Sequence, residues 1–373
     1  MIYLDNAATT EPYDFILEEY SSLARGGFYN PSGMYKAATL QNTLIDEVHQ
    51  KILGIIGGHG KIIFNSGGTE GANHVFNGVV IPKKSTILIS QAEHDCVFRS
   101  AQNLETQGYT LKYIPVDQTG KVIEEEYVKL LTPEVSLISV MHVCNETGCI
   151  NDIERLVRLA RNVNKNVVFH SDGVQAFTKI PSSMRKLDVD FYTVSAHKFH
   201  GLKGSGFLYK KEGTMLKPLI LGGGQQGGLR SGTVSFPAIV ALLSAITEGV
   251  DHDFLIKQAK VRTYIEKLRK AIQTEISDVV FLSPEETCGI LLVAFKGIRG
   301  EVLLHLLDKR NIVVATGSAC SGKNEGLYKK NLKLAKEYKD GIIRFSVSNT
   351  NNSGEIKEVI TALKECVKEL RAV

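Results

Sequence analysis

The chain has 373 residues, of which 43% are hydrophobic and 23% are charged, and its formal net charge is +4 at pH 7. A chain of this length and composition can bury a large core and has room for two domains. The small net charge argues against a bulk attraction to nucleic acid or to a membrane surface, and no apolar run approaches the roughly 18 residues that a membrane span requires. We therefore expect a globular protein without a membrane partner and without direct nucleic-acid binding.

Cysteine usage and the first residues indicate the compartment. The segment Met1–Asp5 lacks the basic region followed by an apolar core that export requires. The six cysteines are scattered without a C-x-x-C pair, in a chain too large to need disulfide bonds. This pattern favours the reducing cytoplasm and predicts neither export nor a metal site. The cysteines are Cys96, Cys144, Cys149, Cys288, Cys320 and Cys366.

A glycine-rich segment follows the first buried strand that the sequence predicts. Residues 1–12 are typical of a short strand and a polar turn, residues 35–54 of a helix, and residues 61–64 of an apolar strand. That strand enters NSGGTEGAN at residues 65–73. Glycines and a hydroxyl between a strand and a helix form a phosphate cradle, because unpaired backbone N–H groups and the helix dipole converge on the anion. A plain strand-to-helix turn would have the same pattern.

Apolar runs alternate with helical patterns through the middle of the chain, as in a parallel, doubly wound sheet. Polar clusters with histidines follow several of these runs, at residues 93–94, 142–148 and 170–175. A single histidine at such a place is usually structural, but several at consecutive strand ends favour a functional site. The predicted strands lie at residues 86–90, 109–116, 135–140, 167–169 and 189–194.

Lys198 and Asp172 follow two of these strands. Lys198 lies in SAHKFHG at residues 195–201, and Asp172 lies in HSDGVQ at residues 170–175. Ligands bind outside the carboxyl ends of the strands in open α/β sheets. A lysine can form a Schiff base with the aldehyde of pyridoxal phosphate, while a carboxylate keeps the pyridine nitrogen protonated. The pair therefore indicates this cofactor, although a lysine and an aspartate after strands are also common as solvated side chains.

The second half of the chain predicts a smaller domain. A glycine-rich loop at residues 222–233 precedes a helical pattern at 237–274, where we place the domain border. Strands at 288–295, 311–315 and 342–347 and a helix at 353–370 follow. The predicted fold is α/β, with a large domain built on a mostly parallel, doubly wound sheet and a smaller α+β domain. The predicted bounds are 13–250 for the large domain, and 1–12 with 251–373 for the small one.

Cys320 is the candidate nucleophile. It lies in ATGSACSGKN at residues 315–324, among small and flexible residues that are typical of an exposed loop, whereas structural cysteines are usually buried in apolar surroundings. An incidental cysteine in a turn remains the alternative.

Taken together, these segments resemble the cysteine desulfurases, a family of class-V aminotransferase-like, fold-type I pyridoxal-phosphate enzymes. The resemblance covers nearly the whole chain, and the order and spacing of the motifs are more specific than any one of them. The motifs are LDNAATT (4–10), NPSG (30–33), FNSGGTEGAN (64–73), AEHDCV (92–97), MHVCNETG (141–148), FHSDGVQ (169–175), SAHKFHGLKG (195–204), GLRSGT (228–233), ATGSAC (315–320) and IRFSVS (343–348).

The resemblance implies roles for residues around the cofactor ring. Lys198 would hold pyridoxal phosphate as a Schiff base and later move the Cα proton, and Asp172 would pair with the pyridine nitrogen. His94 would stack on the ring and act in acid–base steps. Gln175 and Asn145 would lie near the phenolic oxygen.

The resemblance also implies a phosphate site and a homodimer. Gly68, Thr69, Ser195 and His197 match positions that bind the phosphate. Thr233 corresponds to a residue that reaches the phosphate from the neighbouring subunit.

The implied reaction converts L-cysteine to L-alanine. Arg344 would bind the substrate carboxylate, with Asn30 close by, because a planar guanidinium binds a carboxylate through two hydrogen bonds. Cys320 would take the sulfur as a persulfide and pass it to an acceptor protein for iron–sulfur cluster assembly or thio-modification.

Some features leave alternatives open. The loop after Cys320 is shorter and richer in lysine than in family members with a long cysteine loop, so the acceptor is not identified. A selenocysteine lyase, a cysteine lyase that forms pyruvate, an ordinary aminotransferase and an inactive scaffold are the other candidates. β-Elimination needs no second thiol, so Cys320 argues against the pyruvate-forming lyase. The presence of both Lys198 and Asp172 argues against the scaffold.

Overall fold

The computed structural model describes residues 1–317 and 333–372, and a seven-stranded sheet forms the larger part of what it describes. Numbered in chain order after the N-terminal strand β1 (Ile2–Tyr3), its strands are β2 (Gly60–Asn65), β3 (Thr86–Ser90), β4 (Thr110–Ile114), β5 (Val135–Ser139), β6 (Val168–Asp172), β7 (Phe191–Ser195) and β8 (Gly206–Lys211). They lie in the order β2-β8-β7-β6-β5-β3-β4. Strand β8 runs antiparallel to β2 and β7, and the other neighbours are parallel. The prediction of a mostly parallel sheet is confirmed.

Apolar residues on both faces of the central strands explain why helices cover the sheet on both sides. Leu88 and Ile138 belong to one hydrophobic core, while their neighbours Ile87, Ile89 and Leu137 belong to another. Successive side chains of a strand point to opposite faces, so the two cores lie on opposite sides of the sheet. The helices between residues 14 and 249 are α1 (Asp14–Gly26), α2 (Lys36–Ile56), α3 (Gly68–Gly78), α4 (Asp95–Thr106), α5 (Glu124–Leu130), α6 (Ile153–Val163), α7 (Met184–Leu187) and α8 (Phe236–Gly249).

A smaller antiparallel sheet follows. Its strands are β9 (Val279–Phe281), β10 (Ile290–Phe295), β12 (Ala315–Thr316) and β13 (Ile342–Ser346), in the order β12-β13-β10-β9, while β11 (Ile312–Val313) pairs with β1. Helices α9 (Phe254–Glu275), α10 (Gly300–Asp308), Lys336–Lys339 and Ile356–Arg371 accompany it. Leu268, Phe295, Phe345 and Leu363 are fully buried in its core. Within residues 1–317 and 333–372, no helix combines the length and the apolar character needed to cross a membrane.

The first ten residues contact both sheets. Strand β1 pairs with β11 beside the smaller sheet. The side-chain amide of Asn6 then donates to the backbone oxygen of Ser346 at 3.0 Å, and the backbone N–H of Thr10 donates to the oxygen of His197 at 2.8 Å. The N-terminal segment therefore ties the smaller sheet to the end of β7. The predicted domain bounds, 13–250 and 251–373, stay a prediction.

The structure differs from the sequence prediction in two elements that bear on the fold. Strand β8 was not predicted. The helix predicted at 237–274 is two helices, because a turn at residues 250–253 separates α8 from α9. In this turn the Asp251 carboxylate accepts the backbone N–H of Asp253 at 3.0 Å, an alternative to helical hydrogen bonding that aspartate commonly offers the backbone.

Gly173, directly after β6, is expected to be intolerant of a side chain. A Cβ at Gly173 would overlap the ring of Tyr192, which is fully buried and hydrogen-bonds through its hydroxyl to His142 Nδ1 at 2.8 Å. Gly173→Ala should therefore lower the free energy of unfolding by about 1–3 kcal/mol, measured by urea denaturation. Gly54→Ala, in α2 with no atom within 4 Å of the new Cβ, is the control and should gain up to about 1 kcal/mol. Equal stabilities for the two variants would contradict the close packing inferred at Gly173.

Candidate active site

The carboxyl ends of β6 and β7 lie side by side and bring Asp172 close to Lys198. The two strands are parallel, with Asp172 opposite Thr193. Asp172 ends β6 and Ser195 ends β7, and one 3-10 turn at Ala196–Lys198 then carries the lysine. Both side chains therefore lie at the edge of the sheet where open α/β folds bind their ligands.

The N-terminal segment holds the amine of Lys198. Its Nζ donates to the backbone oxygens of Ala7 at 2.7 Å and Ala8 at 2.8 Å. These two carbonyl acceptors orient the amine. The LDNAATT motif at residues 4–10 does not indicate a role for Ala7 or Ala8, because a backbone carbonyl has no side-chain signature.

Asp172 is a buried carboxylate with cations beside it. Its Oδ1 accepts the backbone N–H of Val174 at 2.9 Å. Burial raises the pKa of Asp172 above its ordinary value, while the hydrogen bond from Val174 and the nearby His94 and Lys198 oppose that rise. A buried carboxylate is stabilised by a further N–H donor that carries positive charge. The site therefore fits the protonated ring nitrogen of pyridoxal phosphate.

The start of α3 forms a cradle beside Ser195. Gly67 has a φ of +130°, and a Cβ there would come within 2.8 Å of Ser195 Oγ. Only glycine allows the backbone to approach this closely. The cradle is braced by Glu70, which accepts the backbone N–H of Ser66 at 2.9 Å and the Nε of Arg230 at 2.9 Å. Backbone N–H groups at the start of an eleven-residue helix, with hydroxyls nearby, fit a phosphate group.

His94 is oriented by the first turn of α4. Its Nδ1 accepts the backbone N–H of Cys96 at 3.2 Å, and Cys96 Sγ lies 3.1 Å from the same nitrogen. With Nδ1 accepting, Nε2 is the ring nitrogen that carries a proton. Burial raises the pKa of the Cys96 thiol, with Asp172 and Glu93 adding to the effect, so Cys96 stays protonated.

Arg344 is a buried guanidinium that hydrogen-bonds through both of its terminal nitrogens. Its Nη2 donates to Asp5 Oδ1 at 3.0 Å, and its Nη1 donates to the backbone oxygen of Asn145 at 3.0 Å. Its Nε is buried and has no hydrogen-bond partner among the residues that the structure describes. The arginine is thus positioned by partners in both parts of the fold and retains a donor for a carboxylate.

These groups line one cavity of about 420 Å³. Most of the residues that the sequence analysis proposed lie around it: Gly68, Thr69, His94, Asn145, Asp172, Gln175, Ser195, His197, Lys198 and Arg344. Asn30 and Thr233 are exposed and do not line the cavity. Cys320 lies outside the described residues. Cys96 and Lys203 also line the cavity but were not proposed.

The histidines at the strand ends divide into two groups. His94 and His197 line the cavity, and burial together with the nearby Lys198 lowers the pKa of His197 to about 4. His142 and His170 are buried beneath the site instead. His170 hydrogen-bonds to Ser139 Oγ at 2.9 Å and Thr193 Oγ1 at 2.8 Å, as expected of structural histidines.

Comparison with known proteins identifies the family to which the chain belongs. The sequence model of the aminotransferase class-V family matches residues 2–359. A solved NifS-like protein superimposes with a TM-score of 0.92 at 32% identity and covers 99% of both chains. A cysteine desulfurase of Nostoc is 33% identical over the whole chain and 94% of its own length. The cysteine desulfurase IscS of Dictyoglomus turgidum is 32% identical over the whole chain and 96% of its own length.

The chain therefore belongs to the class-V aminotransferase family and, within it, to the cysteine desulfurases. Enzymes of this family depend on pyridoxal phosphate, and the donors around Asp172 and Gly67 fit that cofactor. The predicted family, fold class and enzyme class are confirmed.

The two buried histidines predict how stability depends on pH. Burial lowers the pKa of His142 to about 4 and that of His170 to about 3, from an ordinary value of 6.5. Between pH 6.5 and 4 the unfolded chain therefore binds protons at these positions that the folded chain does not. Their contribution makes the free energy of unfolding decrease as the pH falls through this window.

His170→Gln should lose less unfolding free energy than the wild type between pH 6.5 and 4.5, measured by urea denaturation at each pH. The glutamine keeps a hydrogen-bonding side chain but removes the titrating group. An unchanged slope against pH would show that His170 does not set this dependence.

Proposed function

We propose that this chain converts L-cysteine to L-alanine with pyridoxal phosphate, and that Cys320 takes up the substrate sulfur before an acceptor protein receives it. The observation that carries the proposal is the convergence of Lys198, Asp172 and Arg344 on one cavity beside a glycine cradle. The names of the full-length relatives support cysteine as the substrate.

The residues of the cavity would hold the cofactor by its four polar groups. Lys198 would bind the aldehyde, and Asp172 would keep the ring nitrogen protonated. Bound there, pyridoxal phosphate would supply an aldehyde that links to amines and a ring that accepts electrons. The proposed phosphate ligands are Gly68, Thr69, Ser195 and His197, and the proposed neighbours of the phenolic oxygen are Asn145 and Gln175.

The substrate would be held by Arg344 and deprotonated by Lys198. A guanidinium binds a carboxylate through paired hydrogen bonds, and Asp5 fixes the orientation of this one. The substrate amine would displace Lys198 from the aldehyde, and the freed Lys198 amine would then remove the proton from Cα of the substrate. His94 would present its Nε2 proton to the same space, because Nδ1 is occupied by Cys96. Asn30 is proposed to assist in binding the substrate.

Cys320 is the proposed nucleophile. Its thiolate would attack the substrate sulfur, so that a sulfur–sulfur bond forms as the bond between that sulfur and Cβ breaks. The electron pair of the broken bond stays with carbon, and protonation of Cβ gives the methyl group of alanine. Cys96 does not compete for this role, because burial raises the pKa of its thiol and leaves it protonated beside His94.

We propose that the enzyme acts as a homodimer in the cytoplasm. Thr233 would reach the phosphate of the neighbouring subunit, which agrees with its exposed position away from the cavity of its own chain. Large apolar residues near Asn30 and Thr233 are exposed: Phe28 by 74%, Met34 fully and Leu221 by 80%. A partner subunit on this face would bury these side chains. A reducing compartment would keep the Cys320 thiol available.

The sulfur acceptor is proposed to be a protein of iron–sulfur cluster assembly or thio-modification. The name IscS of one full-length relative agrees with the first of these. No contact of the described residues distinguishes the two acceptors.

Exchange of two cysteines tests the assignment of the nucleophile. Cys320→Ala should lower alanine and sulfide formation by at least about 10²-fold, because it removes the group that takes the sulfur. Cys96→Ala is the matched control, since it removes the thiol that lines the cavity, and it should retain most of the activity. The measurement is the amount of alanine and sulfide formed from L-cysteine and a reductant.

The products separate the alternatives. Alanine formation that survives Cys320→Ala would exclude Cys320 as the nucleophile. Pyruvate and ammonia in place of alanine would identify a lyase, and a requirement for a keto acid would identify an aminotransferase.

Substitution of two lysines tests how the cofactor is held. Lys198→Ala should abolish the covalent label that borohydride reduction leaves on the protein, and it should lower turnover by at least about 10²-fold. Lys203→Ala removes a lysine that lines the same cavity, and it should keep the label. Mass spectrometry of peptides from the reduced protein locates the label. A label at Lys203, or one that persists in Lys198→Ala, would contradict the assignment.

A further inference from the structure

A second cavity, of about 370 Å³, adjoins Lys198. Residues from both parts of the fold line it, among them Lys179, Ile180, Phe199, Val261, Cys288 and Val347. Lys198 is the residue that it shares with the lining of the candidate active site. Its volume is within the usual range for small-molecule sites.

The lining of the second cavity carries positive charge. Lys179, Lys198, Lys257 and Arg262 contribute to it, and among the described residues no aspartate or glutamate does. Three of these cations have bonding partners that do not line the cavity. Lys257 Nζ bonds to Glu248 and Asp251 at 2.6 and 2.9 Å, Arg262 Nε bonds to Glu266 at 2.8 Å, and Lys198 bonds to backbone carbonyls.

Lys179 differs from Lys257 and Arg262 because it has no carboxylate partner among the described residues. Its ammonium group donates to the neutral amide oxygen of Gln175 at 2.8 Å. Burial lowers the pKa of Lys179 to about 8 and raises that of the Cys288 thiol to about 11. Cys288 is therefore protonated at neutral pH and does not neutralise the lysine. A carboxylate would supply the charge that this ammonium group lacks.

We propose that the second cavity binds a small organic monocarboxylate, with the carboxylate on Lys179 and an apolar body against Ile180, Val261 and Val347. The combination of a cation that bonds to a neutral amide with an apolar wall favours this class of ligand. A phosphate monoester carries nearly two negative charges and usually needs several N–H donors or cations. The single available ammonium group does not provide them, so the monocarboxylate is the better fit.

A chain of hydrogen bonds connects this cavity with the amine of Lys198. Lys179 Nζ donates to Gln175 Oε1 at 2.8 Å, and Gln175 Nε2 donates to the oxygen of Ala7 at 2.8 Å. The same oxygen accepts Lys198 Nζ at 2.7 Å. A carboxylate on Lys179 would remove positive charge near Lys198 and compete with Gln175 for the ammonium group. Ligand binding is thereby coupled to the candidate active site, and this coupling rests on the proposed role of Lys198.

Calorimetric titration of the holoenzyme with octanoate at pH 7 tests the binding site. Lys179→Met should weaken octanoate binding by at least about tenfold, because it removes the charge and keeps a side chain of similar length. Lys165→Met, at an exposed lysine outside the cavity, is the matched control and should leave the affinity unchanged. Val261→Phe should also weaken binding, because the larger ring occupies the cavity. Binding of 1-octanol should be at least about tenfold weaker than that of octanoate.

Unchanged octanoate affinity in a folded Lys179→Met variant would overturn the proposal, and so would equal affinity for 1-octanol and octanoate. Thermal unfolding and cofactor absorbance show whether each variant is folded and loaded, and Val261→Phe decides the matter if Lys179→Met does not fold. Octanoate should bind equally well to Cys320→Ala. Failure of the proposed sulfur transfer would therefore not be mistaken for failure of this site.

The coupling has a spectroscopic readout. The cofactor's visible absorption changes with pH as the nitrogen that joins it to Lys198 loses its proton. Octanoate should raise the midpoint of this change, because loss of positive charge nearby stabilises the protonated form of that nitrogen. The shift should be absent in Lys179→Met. Binding of octanoate to the wild type without a shift would overturn the coupling.

Discussion

The removal of the Asp172 carboxylate from water is the constraint on which the rest of the site depends. Parallel pairing of β6 and β7 buries this group at the carboxyl end of the sheet and leaves Lys198 one short turn beyond its neighbour. Such a carboxylate is stable only if N–H donors and cations surround it. His94, the backbone of Val174 and Lys198 supply part of that environment, and a protonated pyridine ring would complete it. The same desolvation that is unfavourable for folding therefore creates the affinity for the cofactor that the family uses.

The N-terminal segment makes the site a product of both parts of the fold. Strand β1 is anchored beside the smaller sheet, yet the carbonyls of Ala7 and Ala8 bind the amine of Lys198 on the larger one. Asp5 in the same segment binds Arg344 of the smaller sheet. One short stretch thus positions both the proposed cofactor lysine and the proposed carboxylate-binding arginine. Because Ala7 also accepts Gln175, the segment lies where the two cavities meet, and charge in one cavity can alter the other.

Much of the large sheet could be predicted from local patterns. Strands β3 and β5 are apolar on both faces because helices cover both sides, and their sequences show it. Strand β8 escaped prediction because its polar end, Lys210 and Lys211, interrupts a short apolar run directly after a glycine-rich turn. Most of the proposed site residues could likewise be named in advance, since their motifs follow strands in a fixed order. The carbonyl of Ala7 could not, because any residue would provide it and only the path of the chain brings it to Lys198.

The sequence alone determined the order of the chemical groups along the chain: a glycine cradle, a histidine, an aspartate, a lysine and a cysteine, each with its spacing from the last. That order is sufficient to identify the family and the class of reaction, because a motif is a local property of the chain. The tertiary structure decided which cavity each group faces and which protonation state it prefers. It keeps Cys96 protonated through burial, and it places the Lys179 ammonium group on the amide oxygen of Gln175, whereas Lys257 pairs with Glu248 and Asp251. Burial and long-range contacts set these properties, and both depend on residues distant in the sequence.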